Sequence, residues 1–493
     1  MAWYRSLPEY EQAGEYSFYI SDFKGGINMS EDDQNMSLSE SPLAYNVSGK
    51  DGSLKRCEGY GRAYKHADML NREILIPELP SSGTGRLLIY RVNTETQPRE
   101  HLAYVDNLGL YKCVLNGSEL KWQMVNTTDF SAVEYYVNYR KDSGDCLVFG
   151  PGVEDNNMYL WSKFTQPPSP VETAPQLSSA VVHYERMFGV GDPEHVNRIW
   201  FSAQFDPTDF TVSLDAGGYI DVMGDKGRAL KVISFSDSIF VFWQYGIPRV
   251  KAYNYQSEFT VSDIYSCDSE ILKDSVCLCS DQIIFAAKDG VYAFDGYSVQ
   301  RISDKISGII NEGLKASGEC SAYFRGKYYL SVQSSYLAEV EGSLMLEYDT
   351  ASNKWRIFKG QPIRQLLVYH DEGRERLLLV GNNYVYEMDG SQTFGGMPIS
   401  ARWDMPLSSL GKPHLVKNIR ELLITAEGEG LLRLKMTTES ARIERTIRLR
   451  DTRRIYKVPL RISGKLLQLS IENVSGNNFT VSNPMVIYTA LRG

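Results

Sequence analysis

The sequence predicts an all-β protein: a β-propeller of about seven blades with a C-terminal β-sandwich and an N-terminal extended arm. A short phrase recurs along the chain. It consists of an apolar or aromatic run, then Asp-Gly or Asn-Gly, then a second such run. It is clearest at 110–122, 291–302 and 385–390. Asp-Gly and Asn-Gly accept the positive φ angles of tight hairpin turns. Related phrases recur about every 40 to 50 residues, which is the spacing of propeller blades. The 32 Tyr and the 12% aromatic content also favour strands over helices.

Residues 1–50 differ from the rest of the chain. Apolar residues flank a Gly25-Gly26 turn, and the polar, acidic run 30–35 follows. Two interpretations stay open at this point. The segment is either a first strand with a surface loop, or an extended arm whose apolar side chains dock on a neighbouring subunit, because so short an apolar stretch cannot bury itself. The candidate assembly residues are Phe18, Ile20, Phe23 and Ile27.

The hairpin phrases extend over 51–396, which we predict to be the propeller. About seven blade-like units fit this range, although six or eight would also suit periods of this length. Within it, 303–315 carries Ile and Leu at helical spacing behind Ser303 as a candidate N-cap, which predicts the one clear helix. After Gly395-Gly396 the strands become longer and Gly-rich turns separate them, so we predict a small β-sandwich over 397–493.

The composition excludes several classes of protein. No apolar run approaches the roughly 20 residues needed to span a bilayer, and no secretory signal is readable at the N-terminus. We therefore expect folding in the cytoplasm and no membrane span. The seven cysteines are scattered, which argues against a disulfide framework, and Cys277 and Cys279 lack zinc-knuckle spacing. We expect no metal and no cofactor.

Charge is distributed unevenly. The net charge is -9, which argues against a general nucleic-acid binder, since such proteins are usually basic. Residues 442–461 nevertheless carry +6, and the remainder of the chain carries -15. Alternation places Ile447 and Leu449 on one face of this segment, with Arg448 and Arg450 on the other. Either this is a solvated strand face, or it contacts phosphate or an acidic neighbour. The candidate contact residues are Arg445, Arg448, Arg450, Arg453 and Arg454.

Motifs for catalysis are missing where their structural context would require them. The sequence contains no nucleophile elbow, phosphate-binding glycine loop, dinucleotide fingerprint or zinc-protease helix. Asp206 and Asp209 could form a carboxylate pair, but Asp206-Pro207 has the residue order of a turn, which we favour. The run 154–157 lacks the alternating ligands of a calcium loop. We predict a protein that is not an enzyme and has no catalytic residues.

Several phrases occur together in an order that resembles phage tail nozzle proteins, including the packaged-DNA stabilisation proteins of short-tailed phages. The N-terminal arm of that family is similar to the phrase Phe-Lys-Gly-Gly-Ile-Asn of this chain. Its closing sandwich strands are similar to the phrase Gly-Lys-Leu-Leu-Gln-Leu-Ser-Ile-Glu-Asn. The matching phrases are 23–28, 198–202, 206–210, 218–222, 239–250, 289–296, 301–306 and 464–473.

The resemblance implies a virion structural protein, made in the host cytoplasm and located in the tail. The resemblance also implies that it assembles with itself into a sixfold ring below the portal and adaptor proteins. There it would prolong the DNA channel and help retain and then release the genome, touching double-stranded DNA transiently and without sequence specificity. An acidic surface around a polyanion repels it and would let it slide. The rival expectations are a propeller hydrolase acting on glycans and a receptor- or carbohydrate-binding tail module.

Overall fold

The computed structural model describes most of the chain. The described residues are 15–20, 22–67, 72–81, 85–93, 98–141, 143–153, 156–214, 216–253, 255–311, 314–334, 337, 342–360, 362–371 and 373–492. They form two compact units. The sandwich unit contains Met1–Gly59, Lys354–Lys359 and Ser391–Gly493, and the propeller unit contains Tyr60–Asn353 and Gly360–Gly390. The first 14 residues of the predicted arm lie outside the described residues. So do Glu154 and Asp155 of the run 154–157, which was compared with a calcium loop.

The first nine strands are short. They are β1 (Glu15–Tyr19), β2 (Gly26–Ile27), β3 (Glu40–Ser41), β4 (Leu43–Tyr45), β5 (Val47–Ser48), β6 (Leu54–Arg56), β7 (Gly59–Arg62), β8 (Tyr64–Ala67) and β9 (Arg72–Leu75).

Blades 1 to 5 are sheets of four consecutive antiparallel strands. Blades 1 and 2 consist of β10 (Arg86–Asn93), β11 (Pro98–Val105), β12 (Leu110–Asn116) and β13 (Glu119–Asn126), then β14 (Tyr135–Lys141), β15 (Gly144–Gly150), β16 (Met158–Trp161) and β17 (Ser169–Val171). Blades 3 and 4 consist of β18 (Ser179–His183), β19 (Arg186–Val190), β20 (Arg198–Phe201) and β21 (Gly218–Asp221), then β22 (Ala229–Phe235), β23 (Ser238–Trp243), β24 (Gly246–Lys251) and β25 (Thr260–Ser266). Blade 5 consists of β26 (Cys277–Cys279), β27 (Gln282–Ala287), β28 (Gly290–Phe294) and β29 (Val299–Arg301).

Two further blades, whose strands are joined in one continuous sheet, bring the described propeller to seven blades. Blade 6 contains β30 (Lys315–Phe324), β31 (Lys327–Ser334) and β32 (Gly342–Asp349). After β33 (Lys354–Lys359), which belongs to the sandwich unit, blade 7 contains β34 (Gln365–Asp371), β35 (Arg374–Gly381) and β36 (Tyr384–Ser391), with β7 beside β36. A strand from early in the chain thus supplies the fourth strand of the last blade. The all-β propeller prediction is confirmed.

The propeller core lies in layers between neighbouring blades. Leu88 and Tyr90 of blade 1, for example, pack in one cluster with Leu147 and Trp161 of blade 2. Both faces of each inner strand are therefore covered, which explains the near-continuous apolar runs of strands such as β23. Pro248, which has no N–H to donate, lies in β24 where the register with β25 shifts at a bulge.

The only α-helix in the described part of the chain is shorter than predicted. A 3₁₀ turn, Asp304–Ile306, leads into α1, Ser307–Ile310. Two other 3₁₀ turns are Gln256–Glu258 and Lys273–Ser275. Ser303 does not cap the helix; its hydroxyl accepts a hydrogen bond from the Val291 N–H at 3.0 Å. The apolar spacing reflects burial of Ile306, Ile309 and Ile310 around a single turn.

The sandwich unit is completed by β37 (Thr393–Phe394), β38 (Met397–Pro398), β39 (Arg402–Asp404), β40 (Leu415–Gly428), β41 (Leu431–Thr438), β42 (Arg442–Arg448), β43 (Arg454–Gly464), β44 (Leu467–Asn473) and β45 (Phe479–Arg492). One sheet has the order β43-β40-β45-β6-β5 with β1 also paired to β45, and the other has the order β4-β39-β44-β41-β42. Their inner faces share one core, in which Leu422 of the first sheet and Leu434 and Ile471 of the second are almost fully buried.

The prediction of a separate arm over 1–50 is corrected by the placement of its apolar residues. Ile20, Phe23 and Ile27 are 1–3% exposed within their own chain, and Phe18 packs partly buried against the sandwich core. Strand β1 pairs along β45, with Phe18 opposite Val486. The stretch cannot bury itself, but the C-terminal strands supply the apolar surface that it lacks. The first alternative, a first strand with a loop, describes this segment. The compact units accordingly divide near 59 and 390, which differs from the predicted boundaries at 50 and 396.

Candidate functional site: the basic edge of the sandwich

The arginine-rich segment forms the outermost strands of both sandwich sheets. Strand β42 ends one sheet order and β43 begins the other, and the turn 449–453 connects them. Edge strands carry unpaired backbone groups, and charged side chains on them discourage pairing with another sheet. Protection of the edge is therefore the simplest structural explanation for charge at this position.

Side-chain orientation follows the alternation read from the sequence. Leu449 is 4% exposed and Ile447 packs against the core, whereas all five candidate arginines are exposed. We call Arg445, Arg448, Arg450, Arg453 and Arg454 the basic edge. The structure thus brings these residues together on one connected edge, on two strands and the turn between them.

Most of the basic edge has few partners. The Arg445 guanidinium donates to the carbonyls of Pro459 at 3.1 Å and Glu444 at 3.0 Å, and Arg454 Nε donates to the Thr452 hydroxyl at 3.1 Å. The side chains of Arg448, Arg450 and Arg453 have no ion-pair or hydrogen-bond partner among the described residues. Their guanidinium groups are free to bind a carboxylate or a phosphate in the bidentate geometry that arginine prefers.

Two carboxylates on the same sheet as β42 are already engaged. Arg433 Nε lies 2.9 Å from Glu444, and Glu472 accepts from Lys435 at 3.0 Å and from Arg433 at 3.4 Å. Two cations that do not belong to the basic edge therefore neutralise these two carboxylates. The positive charge of the basic edge is left largely uncompensated within the sandwich unit.

The backbone at the turn is held in place. The Arg450 N–H donates to the Tyr456 hydroxyl at 3.0 Å, and its carbonyl accepts from Gly428 N–H at 2.8 Å. Gly428 has φ +140°, and a Cβ there would lie 2.4 Å from the Asn478 carbonyl oxygen, so only glycine fits. The turn therefore presents Arg450 from a defined position. Ile455, which directly follows Arg454 of the basic edge, is 69% exposed.

The alternative carboxylate pair has the structure of a turn. Asp206 Oδ1 accepts from the Thr208 N–H at 2.9 Å and its hydroxyl at 2.6 Å, and Lys141 Nζ lies 2.8 Å from the same atom. Asp209 accepts from the Thr211 N–H at 3.0 Å. Each carboxylate thus satisfies local backbone groups, as the turn interpretation predicted. Within the residues that the structure describes, no group of three or more His, Cys, Asp or Glu side chains could hold a metal ion.

Sequence reasoning missed a cavity of about 460 Å³ in the propeller unit. Its polar lining includes Glu134 and Lys273, which form an ion pair, together with Asp192 and Arg228. Asp192 accepts from Trp200 Nε1 at 2.9 Å and lies 3.1 Å from His195 Nδ1. The lining comes mostly from connections before and after strands of blades 2 to 4, and from the connection ahead of blade 5. Residues so distant in sequence give no local signal.

No protein-family model matches the chain, and no curated protein matches it. Similar solved structures include the AfRom2 CNH domain, with 9% identity over 62% of this chain and 96% of that chain and a TM-score of 0.38. The Neurospora crassa Pan2 WD40 domain has 11% identity over 62% and 90%, with a TM-score of 0.38. An ancestral GH74 enzyme has 12% identity over 70% and 56%, with a TM-score of 0.42. The likeness concerns the propeller fold alone. In the described part of the chain, no helix has the length and apolar character needed to cross a membrane.

Proposed function

We propose that this protein is a virion structural subunit that assembles into a ring-shaped tail nozzle or head-completion component below the portal and adaptor. The ring prolongs the DNA channel and helps retain and then release the packaged genome, and the subunit performs no catalysis. Its partners are other copies of itself, the portal or adaptor, other tail proteins and, transiently, double-stranded DNA.

The observation that carries this proposal is the order of the phrases that resemble phage tail nozzle proteins. The phrases at 198–202, 239–250 and 289–296 lie on strands of blades 3, 4 and 5, and the one at 464–473 lies on β44 of the sandwich. A hairpin phrase alone is common to many propellers. Its occurrence in a fixed series that ends in a sandwich supports this family in particular.

The charge distribution is compatible with a conduit for DNA. Outside the 442–461 segment the chain carries -15, and a surface of this sign repels the phosphate backbone. A duplex would then pass without being trapped. Retention of the genome in such a tail would depend on a constriction or a plug rather than on attraction.

The rival functions predict different behaviour. A glycan hydrolase needs carboxylates that converge on a substrate, and Asp206 and Asp209 instead each bind their own turn. A carbohydrate- or receptor-binding module would bind its ligand as a free protein. Neither rival requires a ring.

The experiment that tests the proposal is removal of the protein from the virus that encodes it, followed by complementation. Particles assembled without the protein should fill with DNA and then lose it, which nuclease sensitivity of the packaged genome measures. Complementation with the intact chain, or with the Asp206→Asn/Asp209→Asn variant as matched control, should restore retention. Particles that keep their DNA without the protein, or that fail only at host attachment, would contradict the proposal.

A further inference from the structure

The basic edge has a matching acidic region in the propeller unit of the same chain. Residues 256–304, which cover the end of blade 4 and all of blade 5, contain nine acidic and three basic side chains, a net charge of -6. The segment 442–461 carries +6. We call residues 256–304 the acidic blade.

The carboxylates of the acidic blade are largely exposed. Asp268, Asp281, Asp289 and Asp295 all face solvent. Glu270 is paired with Lys288, Asp304 with Arg301 at 3.3 Å, and Asp263 with Lys226 at 2.8 Å. The third cation of the region, Lys273, is paired with Glu134. The four exposed carboxylates therefore have no ion-pair partner among the described residues.

Two of these carboxylates, Asp268 and Asp289, lie near each other at one end of blade 5. The Asp289 N–H donates to the hydroxyl of Ser269 at 3.2 Å, which places Asp289 next to the residue that follows Asp268. Burial raises the pKa of the Cys267 thiol to about 11, and the negative charges of Asp289 and Asp268 add to that effect. Asp268 and Asp289 thus form one local negative field.

From these surfaces we infer that the basic edge of one copy binds the acidic blade of a second copy of this chain. The inference rests on the proposed ring and specifies how its copies meet. Since the two surfaces are different parts of one chain, each copy keeps one of them free after the first contact. Such a heterologous contact closes into a ring when its rotation permits.

A protein partner fits the basic edge better than DNA does. The exposed Ile455 beside the arginines gives an apolar contact that a phosphate backbone would not reward. The segment 442–461 contains seven arginines and one lysine, and arginine is enriched and lysine depleted in protein interfaces. The remaining -15 of the chain would also repel a duplex held along this edge.

The test is sedimentation of the full chain at about 0.05 M and about 0.5 M salt, because screening shortens the reach of surface charges between these concentrations. Three double variants are compared with the unmodified protein. The edge variant is Arg448→Glu/Arg450→Glu, and the blade variant is Asp268→Lys/Asp289→Lys. The control is Lys121→Glu/Lys163→Glu, which makes the same charge change as the edge variant at two exposed residues of blades 1 and 2.

The unmodified protein and the control should associate at low salt and dissociate at high salt. The edge variant alone and the blade variant alone should each associate at least about tenfold more weakly, because like charges then face each other. An equimolar mixture of the edge variant and the blade variant should recover association to within about threefold. In the mixture, the new glutamates of the edge variant can face the new lysines of the blade variant, so opposite charges meet again. Circular dichroism of each variant checks that it is folded.

Three results would overturn the inference: a protein that stays monomeric at low salt, an edge variant that associates normally, or a mixture that does not recover. If the edge variant associates normally, fluorescence anisotropy with a labelled DNA duplex tests whether the basic edge binds DNA instead. Loss of DNA binding with unchanged association would make the basic edge a DNA contact. A ring that still forms from the edge variant would refute this interface but leave the proposed function intact. Particles without any ring would refute the function.

Discussion

The side chain of Gln365 forms two hydrogen bonds with the backbone of Leu87. Its amide oxygen accepts from the Leu87 N–H at 2.9 Å, and its amide nitrogen donates to the Leu87 carbonyl at 2.9 Å. Gln365 begins the inner strand of blade 7 and Leu87 lies on the inner strand of blade 1, so the pair connects the last blade to the first. Both residues are buried, and the Gln365 side chain satisfies the N–H and the carbonyl of Leu87 where the last blade meets the first.

Replacement of Gln365 by leucine should destabilise the propeller. Two buried backbone groups of Leu87 would lose these hydrogen bonds, which should cost about 2–4 kcal/mol in the free energy of unfolding. Urea denaturation followed by tryptophan fluorescence measures the change. The matched control is Gln300→Leu, at an exposed position of blade 5, which should alter stability by less than about 0.5 kcal/mol. Equal effects of the two substitutions would contradict this role for Gln365.

His183 should make the stability of the propeller depend on pH. It is 4% exposed, its Nδ1 lies 2.8 Å from the Ser234 hydroxyl, and burial lowers its pKa below the usual 6.5. The unfolded chain therefore takes up a proton near pH 6.5 that the folded protein resists. The stability due to neutral His183 is complete above this pH and is lost as pH falls toward the folded pKa.

The check is to compare the unmodified protein with His183→Gln in denaturation experiments between pH 7.5 and 5. The difference in slope should approach, but not exceed, about 1.4 kcal/mol per pH unit, the value for one proton. His414→Gln, at an exposed histidine, is the matched control. A His183→Gln protein with the same pH dependence as the unmodified one would sink the prediction.

Phe23 should contribute to the stability of its own chain. It is 3% exposed and meets the Trp403 ring edge-on, with centroids 4.8 Å apart. Phe23→Ala should lower the free energy of unfolding by about 3–5 kcal/mol, the usual cost of removing a buried phenylalanine. Tyr19→Ala changes a 61% exposed aromatic of the same segment and should have little effect. If Phe23→Ala weakened assembly but left the stability of the isolated chain unchanged, the interpretation as a docking arm would be reinstated.

Asp206→Asn/Asp209→Asn should change stability only slightly. Asparagine can still accept the hydrogen bonds from Thr208 and Thr211, so the main loss is the ion pair with Lys141, which at this exposure is worth about 1 kcal/mol or less. Thermal unfolding measures this. Glycan cleavage by the unmodified protein that disappeared in the variant would favour the hydrolase instead.

The hairpins of the propeller could be predicted from sequence because their signal is local. Gly117 and Gly296 adopt the positive φ of the hairpin turns that their Asn-Gly and Asp-Gly phrases predict, whereas Gly390, also at positive φ, lies inside β36 and not in a hairpin turn. The placement of Phe23 could not be predicted, because Trp403 lies 380 positions away in the sequence and neither residue reveals its partner locally. Where the chain returns to an earlier strand, the sequence gives no local signal of the pairing.

The candidate site, too, could be predicted from the sequence only where its signal is local. Alternation within one segment was enough to predict that Arg448 and Arg450 face away from Ile447 and Leu449. The engagement of Glu444 by Arg433 needs the pairing of β41 with β42, which only the structure gives. The cavity that includes Asp192 and Arg228 was missed altogether, because adjacent blades and not adjacent residues bring its lining together.

The most direct test of the central claim is electron cryo-microscopy of virus particles that contain this protein. We predict several copies in a closed ring below the portal, with propeller subunits surrounding a passage that continues the DNA channel. A single copy, or an appendage on the outside of the tail with no passage through its assembly, would contradict this prediction.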